Sequence, residues 1–569
     1  MRRFLLLPVA FGLALLVTAP ATAAAPRPPG DPTATLKGIV RAARHPDLRW
    51  PAITDVRTEI ERLYARNEWQ PLWLDGARPS AAATLLIARL AAADSLGLEP
   101  ADYDAVWLER TAAKFELARK APSADLRARF DAGLSVAAAR FVSALACGRV
   151  DPVTVDPAYD IPRPCPAVDS TVGDLRDVAR QGAVLVAVQP QFHHYQLLKN
   201  GLARYRVLAR DSTLIPLPPI PADVRPGQSL RAAAALRRLL RATGDLPKGK
   251  TPKIAKDTVY TPELVEAVQR YQGRQGFLPD GVLWSQTLEQ LRRPFSERVR
   301  QIELTLERWR WLPNTFDVPP VIVNIPAFRL YAFNALPDRR ESMLSMDVLV
   351  GAAVWNETTV FSAPMTHVIF RPYWEVPVNI GQFEMGPRAL EEPEAMEQRG
   401  YVLVRRDGAD STALPLTPEN LARLGKDLRL RQRPGPLNAL GLIKFMLPNP
   451  HDIYLHDTPA PGLFVLPRRD FSHGCIRVSD PVALAVHVLR GQPGWTPERV
   501  KAAMESGEDN LRVDLAQPVP VFIVYATAAA AETGEVYFYT DIYQRDAKLD
   551  ALLRKVAPFP RSRAVVAGR

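Results

Sequence analysis

The octapeptide Phe471-Ser472-His473-Gly474-Cys475-Ile476-Arg477-Val478 decides how this 569-residue chain is read. Shortly before it stands Tyr454-Leu455-His456-Asp457-Thr458-Pro459. A thiol flanked by Gly and followed by Arg, with an imidazole a short way upstream, is the raw material of acyl transfer through a thioester. Free cysteine is mostly protonated at neutral pH, and a neighbouring imidazolium or guanidinium favours the nucleophilic thiolate. Ile453-Tyr454-Leu455 reads as a strand delivering His456, and period-two alternation puts Tyr454 on the face of His456. Phe464-Val465-Leu466 reads as a second strand whose loop leads to Cys475. Ser479-Asp480-Pro481 opens a helix holding Leu484, Val488 and Leu489. The thiol thus lies just ahead of a helix start, where partial positive charge helps an anion. Gly474 lets a backbone approach closely, and its amide and that of Cys475 are expected to donate to a developing oxyanion. His473 is the rival base, since a tight turn brings a residue two positions away near the sulfur.

Outward from this stretch the pattern is β. Val321-Ile322-Val323-Asn324-Ile325 and Arg329-Leu330-Tyr331-Ala332-Phe333 flank Pro326-Ala327 as in a hairpin. Residues 346–350 and 365–370 read as further strands, and 519–525 with 536–539 as a closing pair around Gly534. Between about residues 377 and 449 runs a polar, irregular segment with a helix expected over 417–428. An insertion this long in a compact β domain reads as a lid or functional loop.

Towards the N-terminus the pattern is helical. Arg2 and Arg3, an apolar run over 4–17, and Ala21-Thr22-Ala23 read as a signal peptide over residues 1–23, too short for a comfortable membrane span. No later segment reads as a membrane span, so a protein exported to the periplasm and free of any span after signal removal is expected. Residues 24–50 are Pro- and Ala-rich and expected to be mobile. Residues 51–215 read as an all-helical domain whose Trp and Tyr side chains belong to the core. The proline-dense stretch over 214–221 reads as an extended linker. A small helical module is expected over 225–295, with Ser229 as a candidate cap, Thr261-Pro262 starting a helix, and Pro279-Asp280-Gly281-Val282 as a rigid turn. The β domain is expected over 300–545, opening with a helix, and residues 546–569 as a tail.

The formal net charge of +11 suits an anionic polymer, or solubility alone. Nucleic acid is a poor partner for an exported chain. Of the three cysteines, Cys147 and Cys165 are close enough in sequence for a disulfide in an oxidising compartment, or are both buried and reduced. A bridge leaves Cys475 as the odd thiol, and catalysis supplies a reason for one. His193-His194 point to different faces of a helix, and no Cys/His set has metal-ligand spacing, so neither metal nor cofactor is expected.

Ser472-His473-Gly474-Cys475-Ile476-Arg477-Val478 with His456-Asp457-Thr458 closely resembles the signature of the YkuD-type L,D-transpeptidase catalytic domain. Arg433-Pro434-Gly435-Pro436-Leu437-Asn438, Tyr373-Trp374-Glu375-Val376-Pro377, Asp541-Ile542-Tyr543 and residues 69–73 resemble its large multi-domain YcbB-like branch. Ala267-Val268-Gln269-Arg270-Tyr271-Gln272 and Pro279-Asp280-Gly281-Val282 resemble a three-helix peptidoglycan-binding domain, which either binds wall polymer or acts as a spacer. The implied fold class is multi-domain α+β: a helical scaffold, a peptidoglycan-binding-like module, and a mostly-β catalytic domain with an inserted capping segment. The resemblance implies that Cys475 is nucleophile, His456 general base, Gly474 part of the oxyanion loop and Arg477 its brace. Tyr454, Ser472, His473, Thr458 and Trp374 become candidate substrate contacts. The implied partner is peptidoglycan. A thiolate attacks the carbonyl joining diaminopimelate to the terminal D-alanine of a tetrapeptide stem, and a second stem's amine resolves the thioester into a 3→3 cross-link. Water as acceptor gives an L,D-carboxypeptidase instead. A non-catalytic wall-binding scaffold is the third reading, opposed by the intact Cys475, His456 and Arg477.

Overall fold

The computed structural model describes residues 30–163, 165–214, 216–247, 258–336, 343–353, 356–406, 412–555 and 557. The expected signal peptide lies outside them.

The N-terminal region is helical: α1 (Thr33–Ala42), α2 (Arg57–Arg66), α3 (Ala81–Ala91), α4 (Ala105–Leu117), α5 (Ala124–Cys147) and, after three short helices, α6 (His193–Arg210). Within the segment expected to be mobile over 24–50, the described residues from 30 onward include α1, which buries Leu36, Ile39 and Val40 in the core of this region. Helix α5 is apolar on nearly every side and therefore forms the core axis. By length and composition alone it could cross a membrane, but its apolar window is entirely buried within the protein. Asp131 and Arg140, both buried on it, are satisfied internally. Asp131 accepts the Tyr64 hydroxyl at 2.6 Å and the amides of Leu72 and Trp73, and Arg140 pairs with Asp55 at 2.9 Å. These bonds pin the Trp-rich 69–73 segment as core wall. At the end of α5, Cys147 is disulfide-bonded to Cys165 with Cα atoms 5.9 Å apart.

The small module comprises α7 (Ala233–Thr243), α8 (Pro262–Arg274) and α9 (Ser285–Arg292). The preceding proline-dense stretch is not a free linker, since Leu217 and Ile220 are buried in the module's core. Ser229 bridges to Val259 instead of capping a helix, which starts only at Ala233. The Asp280-Gly281 turn is held by the Gln272 carboxamide, which accepts from the Gly281 amide and donates to Val282. Gly281 has φ +74°, and a Cβ there would lie 2.7 Å from Val265, so only glycine fits. Arg274 anchors the module by pairing with Asp245 and donating to the Val536 carbonyl.

Helix α10 (Phe295–Trp309) leads into the β domain. Its strands are β1 (Val321–Asn324), β2 (Arg329–Phe333), β3 (Met343–Gly351), β4 (Phe361–Phe370), β5 (Trp374–Glu375), β6 (Tyr401–Arg405), β7 (Leu428–Gln432), β8 (Ile443–Met446), β9 (Leu455–His456), β10 (Asp470–Ser472), β11 (Ile476–Val478) and β12 (Leu511–Val524). A hairpin, β13 (Ala528–Ala530) and β14 (Val536–Phe538), follows. The main sheet runs β10-β3-β11-β9-β8-β4-β12-β1-β2, and the added pairing of β2 with β3 closes it into a barrel. Alternation sorts the strands into an apolar lumen and a more polar outer wall. Phe445, Leu455 and Ile476 stand side by side on the inner face, and Lys444, His456 and Arg477 on the outer face.

The insertion is better ordered than expected. Strands β5, β7 and β6 form a three-stranded sheet over a core containing Val376, Ile380, Leu403 and Leu430. The helix expected over 417–428 shrinks to Pro418–Leu421, because Gly425 at φ +83° turns the chain and Leu428 opens a strand. The strand expected at 464–466 is instead a 3-10 turn, Pro461–Val465, with Val465 exposed and no face to pair. After α11 (Pro481–Leu489) and α12 (Pro497–Ser506), the residues expected as a tail begin with α13 (Arg545–Lys555). This helix buries Leu549 and Leu553 against Val150 and Trp311, tying the end of the described chain to the helical region.

Candidate active site

Strands β9 and β11 are parallel neighbours, with Leu455 opposite Ile476 and His456 opposite Arg477. This register puts Tyr454, His456, Cys475 and Arg477 on one patch of the outer wall, with Lys444 of β8 beside His456. His456 and Cys475 stand diagonally across the pair, and no hydrogen bond joins them in this resting structure.

Cys475 is the free cysteine and is half-buried. Its Sγ lies 3.6 Å from the Asp452 carbonyl oxygen. Burial pushes the thiol up, against hydrogen bonds from Tyr454 and the Arg477 charge, both of which favour the thiolate. His456 is buried, and its Nδ1 lies 2.6 Å from the Asp457 carbonyl oxygen. That carbonyl holds the ring, while the Asp457 carboxylate turns away to accept the Leu442 amide at 2.9 Å. Burial, followed by the Arg477 charge, pushes His456 down to about 3, with backbone hydrogen bonds to Asp457 and Leu440 opposing. Burial thus favours the neutral form of both the thiol and the imidazole, against the priming of a thiolate by an imidazolium expected from the motif.

The Cys475 loop is braced internally. The Ser472 hydroxyl donates to the Cys475 carbonyl at 2.5 Å and accepts the Gly474 amide at 3.2 Å. The Gly474 amide, expected as an oxyanion donor, is thus occupied by the Ser472 hydroxyl in this resting structure. The Cys475 amide makes no hydrogen bond among the described residues. Gly474 sits at φ +113°, and a Cβ there would meet nothing within 4 Å, so backbone conformation and not crowding requires glycine. The Thr358 hydroxyl donates to the Gly474 carbonyl at 2.8 Å and accepts the Gly351 amide. The Tyr543 hydroxyl donates to the Gly351 carbonyl at 2.6 Å.

Arg477 is half-buried with its Nε unpartnered, and among the described residues it makes no hydrogen bond to the loop it was expected to brace. Lys444 also lacks an ion-pair partner there. Its ammonium lies 5.8 Å from the Tyr454 ring centroid, and desolvation lowers its pKa. Two cations thus face the same patch with no described carboxylate in ion-pair contact with either. The Tyr454 and His456 rings are 5.8 Å apart.

Other expected contacts lie elsewhere. His473 is exposed, and its Nε2 stands 3.0 Å from Oε2 of Glu384 in the insertion. The Thr458 hydroxyl accepts the Ala460 amide in its own turn. Trp374 packs edge-on to Tyr401 within the insertion. His451 tilts against Phe361, and the His367 ring meets the Thr366 hydroxyl. Among the described residues no His/Cys/Asp/Glu cluster could hold a metal ion. Sequence reasoning missed Lys444, Thr358, Tyr543 and Glu384. Lys444 carries a signal, a lone cation between Ile443 and Phe445 in an alternating run, whereas the others are too distant in sequence to be linked to Cys475.

Three family models match the chain: a scaffold domain over residues 58–202, a "Putative peptidoglycan binding domain" over 231–291, and an L,D-transpeptidase catalytic domain (YkuD) over 320–499. A curated protein of Haemophilus influenzae described as a "Putative L,D-transpeptidase" is 28% identical over 255 residues, covering 45% of this chain and 50% of the relative. The chain thus spans about half the length of that relative. Barrel, capping insertion and Cys475 loop all fall within or beside the catalytic match, and the chain carries a YkuD-family L,D-transpeptidase catalytic domain joined to a peptidoglycan-binding domain and a scaffold domain.

Proposed function

We propose that this protein is exported to the periplasm and cross-links peptidoglycan stems through a thioester on Cys475. The observation that carries the reading is the shared outer-wall patch of free Cys475, His456, Arg477 and Lys444, bordered by a capping insertion. In the first half-reaction Sγ attacks the diaminopimelate carbonyl of a tetrapeptide donor. Neutral His456 takes the thiol proton and returns it to the departing D-alanine amine as the C–N bond breaks, a general acid–base role worth about 10²–10⁴-fold. The Cys475 amide stabilises the oxyanion, a contact worth roughly 3 kcal/mol. In the second, the amine of another stem attacks the thioester, the C–S bond breaks, and the thiol is restored with a 3→3 cross-link formed. The unpaired charges of Arg477 and Lys444 suit the carboxylates of the stems, and the insertion limits access of water.

Incubating purified protein with disaccharide-tetrapeptide tests this. Cross-linked dimers with released D-alanine are expected. Tripeptide monomers alone mean that water is the acceptor, and unchanged substrate leaves only a wall-binding role.

A further inference from the structure

A cavity of about 450 Å³ lies between the peptidoglycan-binding module and the outer wall of the barrel, within the roughly 300–1,000 Å³ of small-molecule sites. We propose that it holds the glycan end of the donor, a disaccharide carrying its peptide, so that the stem runs along the barrel wall to Cys475. The identity of the polymer rests on the function proposed above.

The floor is the outer face of β1, β2 and β3. Tyr331 stands there between Ile322 and Ser345, and Arg329 between Asn324 and Asp347. Half-buried Trp309, Tyr331, Tyr537 and Tyr539 line it. Aromatic faces suit the apolar CH face of a pyranose, while phenol and guanidinium groups meet its polar edges. Arg329 and Arg469 share one carboxylate, Asp347, each at 2.9 Å. With Glu532 on the same lining, these guanidinium and carboxylate groups offer polar partners of both signs to the hydroxyl and amide groups of a peptide-bearing sugar. The rim exposes three large apolar side chains from two separate segments: Leu278 of the module at 59%, and Val465 and Leu466 of the barrel at 78% and 38%. Apolar groups left in water around one opening mark a binding surface. The Gly276–Pro279 turn that forms one wall is held by Arg274, fixed to Asp245 and Val536.

The cavity and the candidate active site share one face of the wall. Asp347 is two residues along β3 from Leu349, the partner of Arg477. From that register Asp347 and Cys475 lie on the order of 14 Å apart, the reach of about four extended residues. A sugar seated in the cavity thus leaves its short peptide long enough to present a carbonyl to the thiol.

Binding to Cys475→Ala protein, followed by calorimetry, tests the inference with disaccharide-tetrapeptide and sugar-free tetrapeptide as probes. The disaccharide form is expected to bind at least tenfold tighter. Leu278→Glu and Val465→Glu, on separate segments and both exposed, are each expected to abolish that difference while leaving tetrapeptide binding unchanged. Equal affinity for the two probes, or a sugar preference that survives both substitutions, overturns the assignment. The two readings fail separately: sugar-dependent binding without any acyl-enzyme in the unsubstituted protein removes the thioester chemistry alone, and acyl-enzyme formed equally well from both donors removes the cavity alone.

Discussion

The Thr358 hydroxyl bridges the loop of Cys475 to strand β3, donating to the Gly474 carbonyl and accepting the Gly351 amide, each at 2.8 Å. Thr358 is fully buried. Thr358→Val keeps the shape and strands both partners, costing about 1–3 kcal/mol for each buried group left unsatisfied. As a positioning residue it should slow acylation of Cys475 about ten- to a hundredfold, with Thr358→Ser restoring most of the rate. Loss of thermal stability with an unchanged acylation rate would assign Thr358 to the fold alone.

Glu384 and His473 join the insertion to the Cys475 loop at 3.0 Å, and both side chains are largely exposed. An exposed pair contributes little to stability, about 0–1 kcal/mol. Its effect should be on how the insertion sits over bound donor. Glu384→Ala is expected to raise KM severalfold and to leave kcat within about threefold. A fall of a thousandfold or more in kcat would instead place His473 in the chemistry, as the rival base.

Opposite shifts at the reacting pair set the expected charge state. Burial raises the Cys475 thiol and holds His456 at about 3, so at pH 7 both should be neutral. The ultraviolet thiolate absorbance of the protein, taken as a difference against Cys475→Ala, is expected to be absent at neutral pH and to appear only above the ordinary thiol range. A full thiolate signal at pH 6–7 would mean that a preformed ion pair drives the attack.

The same burial affects acid stability. His456 is held at about 3 and His487 at about 4 by burial, each with an arginine charge adding to the shift. For a base whose folded pKa is depressed below the usual 6.5, the unfolded chain binds more protons between the two values. Stability should be full above pH 6.5 and fall as the pH drops towards 3–4, by up to about 1.4 kcal/mol per pH unit for each histidine. Denaturant titrations at pH 7 and pH 5 check this. His487→Gln, remote from the site, is expected to flatten the slope, and an unchanged slope would show that this imidazole is accessible to protons.

Much of the fold and site is legible in the sequence because it is local. The motif around Cys475, the period-two register that puts Tyr454 and His456 on one face, and the apolar patterns of α5 and the barrel strands are all written in runs of a few residues. What is not legible depends on long-range pairing. No local signal tells that β2 closes onto β3, that Thr358 reaches Gly474, or that Ser472 occupies the Gly474 amide. The environment of the reacting pair is hidden for the same reason: motif chemistry suggests an ion pair, and burial by distant segments opposes it. In the 24–50 segment, proline and alanine content masks Leu36, Ile39 and Val40 at helical spacing.

Whether Cys475 carries the acyl group can be read from the intact mass of the protein after brief exposure to disaccharide-tetrapeptide or to a carbapenem. A covalent adduct is expected on the unsubstituted chain, mapped to Cys475, and none on Cys475→Ala with its fold preserved. An adduct of equal yield on Cys475→Ala, or cross-linked product made by that variant, would contradict thioester chemistry at this residue.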